Sequence, residues 1–161
     1  MQDGTGSTLT AMPVKVGRLV VLALAFGLAA FSIICFVVSS AGDTVEAPSA
    51  DGLNVLLIAL GIVGVSVLPL ALFLPPRIAA RVLKRKEEAR AEVKKGLLPR
   101  EIFAGSLIGA ALAEGWGLFG AALYLISGDA LTLIAPTIAL LVIAMHVPSV
   151  EKAQRVFEHA P

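Results

Sequence analysis

One carboxyl group, Glu114, falls inside an apolar stretch, Ile102 to Ser127, about as far from one end as from the other. A charge at the centre of a membrane helix costs about 2.5–3.5 kcal/mol on insertion scales, so such a group faces protein and marks a candidate site. At 100° per residue Glu114 shares a face with Ala110, Gly117 and Ala121, while Gly105, Gly109 and Ala113 form an adjoining stripe. Small residues let helices approach closely, so Gly105, Gly109, Ala113 and Gly117 are the expected packing residues. No Lys or Arg lies at that depth, which favours the neutral acid with one hydrogen bond to donate. Ser66 and Thr137 are the nearest hydroxyls by depth, and Pro69 and Pro136 free the carbonyls of Val65 and Thr132 as acceptors. Glu114, Ser66 and Thr137 thus form a candidate site for a proton or a small cation. The competing reading is interhelical adhesion worth about 1–2 kcal/mol or less.

Other reactive residue types point nowhere further. Cys35 sits within an apolar run and reads as a packed small hydrophobe. His146 has no second histidine or carboxylate at ligand spacing and reads as an interfacial histidine. Gly115-Trp116-Gly117-Leu118-Phe119-Gly120 matches GxGxxG, but it follows no strand, and Asp129 comes too early for a ribose contact. The sequence holds no nucleophile with its base, no metal cluster and no phosphate loop. A non-enzymatic protein without metal or cofactor is expected, and no nucleic-acid partner.

The elements that must position Glu114 are membrane helices. Of 161 residues, 57% are hydrophobic and 16% charged, and the mean hydropathy is +0.89, far outside the range of soluble domains. Spanning hydrocarbon takes about 20 apolar residues. Leu19–Val38, Leu53–Leu74, Phe103–Ile126 and the shorter Ala130–Val147 are the candidates. The second should stop at Pro75-Pro76, and the fourth is interrupted by Pro136. All thirteen Lys and Arg fall before the first span, between Arg77 and Arg100, or after the fourth. By the positive-inside rule both termini and the central linker are cytoplasmic.

The expected fold is therefore all-α, a polytopic membrane protein of four transmembrane helices arranged as two helical hairpins. Its parts are a disordered tail (1–13), a first hairpin (14–76), a basic cytoplasmic helical linker (77–101), a second hairpin (102–148) and a short amphipathic C-terminal segment (149–161). Arg81, Lys84, Arg85 and Lys86 in the linker suit anionic headgroups or a partner protein, beside their simpler role of fixing orientation. A weak repeat, Phe26-Gly27-Leu28 with Ser40-Ala41-Gly42-Asp43 against Trp116-Gly117-Leu118 with Ser127-Gly128-Asp129, would relate the hairpins by an axis along the membrane normal. The small-residue faces make the leading functional expectation a structural or accessory membrane protein. It would pack with itself, as a homo-oligomer, or with subunits of a larger membrane complex.

Two resemblances arise at these residues. Ala111 to Gly120, reading ALAEGWGLFG, together with Tyr124-Leu125-Ile126-Ser127-Gly128-Asp129 and Pro148-Ser149-Val150-Glu151-Lys152, resembles a family of small bacterial four-helix membrane proteins with no assigned activity. That resemblance implies four spans in the bacterial inner membrane. Glu114 in its Gly- and Ala-rich helix is also similar to the single mid-membrane carboxylate of rotary ATPase proteolipid subunits, which implies ion binding there. Unlike them, this chain carries its carboxylate on the first helix of a hairpin and its long polar loop between hairpins.

Overall fold

The computed structural model describes residues 12–41, 49–82, 91, 93, 95 and 97–151. The expected N-terminal tail up to residue 11, residues 42–48, most of the basic linker and the amphipathic segment from 152 onward lie outside the described residues. Within them the protein is helical, apart from one two-residue antiparallel pairing of β1 (Met12–Pro13) with β2 (Leu97–Leu98). The helices are α1 (Val14–Ser40), α2 (Ala50–Val82), α3 (Arg100–Ser127) and α4 (Ile134–Met145), the last preceded by a 3-10 turn at Ala130–Leu133.

Three stretches, Val14–Ser40, Asp51–Arg77 and Ile102–Ser127, are long and apolar enough to cross a membrane. The apolar helix Ala130–Met145 is shorter. At 1.5 Å per α-helical and about 2 Å per 3-10 residue it reaches about 26 Å, against hydrocarbon about 30 Å thick.

α2 does not stop at Pro75-Pro76. It runs on to Val82 with Pro69, Pro75 and Pro76 inside it. A proline deprives the carbonyl four residues earlier of its donor, so a continuing helix needs substitute partners. Pro136 does not interrupt α4 either. It is the third residue of that helix, where first-turn amides have no intrahelical acceptor to lose.

α3 is the centre of the bundle, packed extensively against α1, α2 and α4, whereas α1 and α2 make little direct contact. The expected first hairpin is therefore not a packed pair: its two helices meet through α3. Along α1 and α3 the facing residues climb together, Gly17 with Phe103, Gly27 with Glu114, Leu28 with Gly117 and Phe36 with Tyr124, so the two run parallel. α2 and α4 run antiparallel to α3. Gly64 faces Trp116 while Ala71 faces Gly109, and Ala135, Ala139 and His146 face Gly120, Gly117 and Gly109 in turn. Lys15, Arg18, Arg77 and Arg100 consequently lie toward one end of the bundle, and Asp51 and Asp129 toward the other.

The α3–α4 turn is tightly built. Gly128 takes the left-handed conformation at φ 66°, and its amide donates to the Tyr124 carbonyl at 2.8 Å. The Asp129 carboxylate accepts from the Leu131 amide at 2.9 Å. Thr132, fully buried, donates its hydroxyl to the Asp129 carbonyl at 2.7 Å. At the opposite end Arg18 Nε donates to the Pro148 carbonyl at 2.9 Å, tying α1 to the chain beyond α4.

Close approach of α4 to α3 depends on missing side chains. A Cβ on Gly120 would stand 2.5 Å from Ala135 Cβ and 2.9 Å from the Thr132 carbonyl oxygen, and one on Gly117 would stand 2.7 Å from Ala139 Cβ. These neighbours are backbone or backbone-fixed and cannot rotate away. Gly120→Ala is expected to cost about 1–3 kcal/mol of stability, the usual penalty for overpacking. Gly61→Ala, where nothing lies within 4 Å of the added carbon, is the matched control. Steric-trap or denaturant unfolding in detergent checks both, and equal losses would contradict the packing described.

Candidate functional site

Glu114 lies near the midpoint of α3, half-buried, on the side that meets α1. Its Oε1 stands 3.7 Å from where Gly27 would carry a Cβ, so the carboxyl rests over a bare patch of the α1 backbone. No hydrogen bond to this carboxyl occurs among the described residues. The face it shares is buried as a whole: Ala110 and Ala121 are fully enclosed, and Gly117 takes Leu28 of α1 and Ala139 of α4.

Ser66 and Thr137 are not brought to it. On α2 the residues that face α3 are Leu60, Gly64 and Ala71. Ser66, two positions past Gly64, is turned about 200° away. It is exposed, and its hydroxyl donates to the Ile62 carbonyl of its own helix at 2.9 Å. Thr137 stands in the same relation to Ala139, is exposed, and donates to Leu133 at 2.8 Å. With Ser32 and Phe36 it lines an open crevice of about 240 Å³ between α1 and α4, away from the carboxyl. Depth in the sequence placed these three residues together, and direction around each helix separates them.

The packing stripe has a definite partner. Gly105, Gly109, Ala113 and Gly117 are all buried. Gly117 meets α1 and α4, and Gly109 meets the His146 ring and the Ala71 carbonyl of α2. Cys35 is buried against Ala121 and Tyr124. Of the expected headgroup-docking residues, Arg81 falls within α2, its side chain undescribed, while Lys84, Arg85 and Lys86 lie outside the described residues. Among the described residues no three His, Cys, Asp or Glu side chains gather as a metal site.

Two polar contacts escape a reading by depth alone. Trp116 inserts its indole over Gly64, where a Cβ would come within 2.7 Å of the ring, and Nε1 donates to the Leu60 carbonyl at 3.0 Å. His146 is buried at the junction of α2, α3 and α4, with Nδ1 2.7 Å from the Val142 carbonyl and Nε2 3.0 Å from that of Ala71. The signal for the second was Pro75, whose missing amide frees the Ala71 carbonyl by the same rule that frees Val65.

This geometry can hold helices together, and it leaves one carboxyl unengaged. Trp116→Phe removes the bond to Leu60 while keeping an aromatic ring, and should cost about 0.6 kcal/mol and no more than roughly 1.7, the span measured for polar contacts between membrane helices. Ser66→Ala and Thr137→Ala remove only local bonds and should lie within experimental error of the wild type in the same unfolding assay. Comparison with known proteins finds no matching family model, no similar curated protein and no similar solved structure.

Proposed function

We propose that this chain is a structural or accessory integral membrane protein, non-enzymatic, that assembles with copies of itself or with a larger membrane complex. Four spans with both termini cytoplasmic, in a bacterial inner membrane, complete the reading. The described cations gather at one end of the bundle, and Asp51 and Asp129 at the other. That polarity suits the positive-inside rule, with the basic stretch around Arg81, Lys84, Arg85 and Lys86 resting on anionic headgroups.

One observation carries the assembly reading: three helices cover only part of α3. Ile108, Ala111 and Gly115 are exposed, and nothing lies within 4 Å of a Cβ placed on Gly115. A small-residue face open at the middle of a central helix suits close approach by another helix. Proton or cation handling at Glu114 is the second reading, favoured by the carboxyl's lack of a hydrogen-bond partner among the described residues.

Two variants separate these readings. In a Cys35→Ala background, Gly115→Cys should give an oxidative cross-link in native membranes, to a second copy or to a stoichiometric partner; a wholly monomeric, uncross-linked chain would sink the assembly reading. Glu114→Gln should leave that cross-link unchanged. If the variant still assembles but loses a carbodiimide adduct that fades on adding protons' competitors, sodium or potassium, the carboxyl handles ions.

A further inference from the structure

His146 sits between two carbonyl oxygens that have each lost their ordinary donor. Pro75 has no amide to offer Ala71. α4 ends at Met145, and the His146 amide that would have bonded Val142 donates instead to Ile143 at 2.9 Å. The ring fills both vacancies at once, Nε2 at 3.0 Å from the Ala71 oxygen and Nδ1 at 2.7 Å from the Val142 oxygen.

A carbonyl oxygen only accepts, and a neutral imidazole carries a single N–H, so in the neutral ring one of these contacts sets lone pair against lone pair. Turning the ring over does not help. It would place a carbon 2.7 Å from the Val142 oxygen, well inside the roughly 3.3–3.6 Å of a C–H···O contact. The imidazolium has two N–H groups and satisfies both oxygens. Gly109 makes this possible, since a Cβ there would stand 2.5 Å from Nε2 and 2.9 Å from the Ala71 oxygen.

We propose that His146 is a proton-binding clasp: with a proton on each ring nitrogen it holds α2 to α4 across Gly109, and loss of one proton releases the basic end of α2. α2 meets the ring with the Ala71 carbonyl, α3 with Gly109 and α4 with the Val142 carbonyl, and none of these is titratable. From α1, Arg18 carries the nearest like charge and donates to the Pro148 carbonyl two residues on. The other described charges at this end are Lys15, Arg77, Lys95, Arg100 and Glu151, and no ion pair joins any of them to the ring among the described residues. The sign follows from the donors: the ring with both protons supplies two bonds and the neutral ring one, so the junction is closed in the first state and loosened in the second.

The test uses the full chain in lipid bilayers with His159→Gln, leaving His146 as its one histidine. Nitrogen NMR of the labelled ring from about pH 5 to about pH 8, the range in which histidine changes charge, should show two N–H groups at the acid end and one at the alkaline end. A ring with a single N–H throughout overturns the proposal. Spin labels at Arg77→Cys and Glu151→Cys, in the Cys35→Ala background, should give one narrow distance in acid that broadens on raising pH. With His146→Phe the distribution should be broad at every pH; if it keeps the wild-type pH response, the clasp is not His146. Should that variant fail to fold, the ring spectrum of the His159→Gln chain still decides.

Discussion

A carbonyl inside hydrocarbon has no water to turn to, and each one left without a donor costs several kcal/mol. Much of the bundle's polar detail answers that constraint. α2 carries three prolines, each of which withdraws a donor from its own ladder. It nonetheless continues to Val82, and His146 Nε2 stands 3.0 Å from the Ala71 oxygen that Pro75 deprives of its own donor. The buried indole N–H of Trp116 meets the same constraint from the donor side and finds the Leu60 oxygen of α2. Polar side chains therefore act here as donors to backbone more than as partners for one another.

Such contacts need helices at close range, and glycine supplies the range. Apolar burial does not drive helices together in lipid, where tails are as apolar as the side chains, so close packing and interhelical hydrogen bonds must do it. α3 meets this need with Gly109, Gly117 and Gly120 toward α4, while Gly64 of α2 lets Trp116 lie flat upon it. In each case the added carbon of alanine would enter a neighbouring atom. The bond from Trp116 to Leu60 and the placement of His146 are consequences of that spacing.

Much of this was legible in the sequence. Three spans follow from length and apolarity, and the stripe Gly105, Gly109, Ala113, Gly117 is visible by its spacing on α3 and is buried. What the sequence hides is direction around the axis. α1 and α2 are apolar nearly all round, so nothing in their pattern says that Gly27 meets Glu114 or that Ser66 turns away. Depth can be counted in residues, and azimuth cannot. The pairing of α1 with α3 was hidden for a related reason: consecutive helices are usually neighbours, and only the fit of Leu28 beside Gly117 shows that here α3 intervenes. A Pro-Pro pair has the composition of a helix end, and only the continuation of α2 through it to Val82 makes the Ala71 carbonyl one that needs another donor.

The short helix α4 brings these points together. At about 26 Å with its 3-10 turn, Ala130–Met145 falls short of the hydrocarbon it would cross, and mismatch of that kind costs fractions of a kcal/mol per ångström. Its hold on the bundle comes chiefly from α3, with α1 and the Ala71 carbonyl of α2 beside it. A buried polar residue stands near each end, Thr132 bonded to the Asp129 carbonyl and His146 set between two carbonyls. Gly120 lies against α4 at the first of these places and Gly109 at the second. A helix with a buried polar group near each end and glycine contacts between them keeps its position along α3 by specific fit. Its neighbours α1 and α2 lack that double fastening to one another, which is why they can stand apart while α4 cannot.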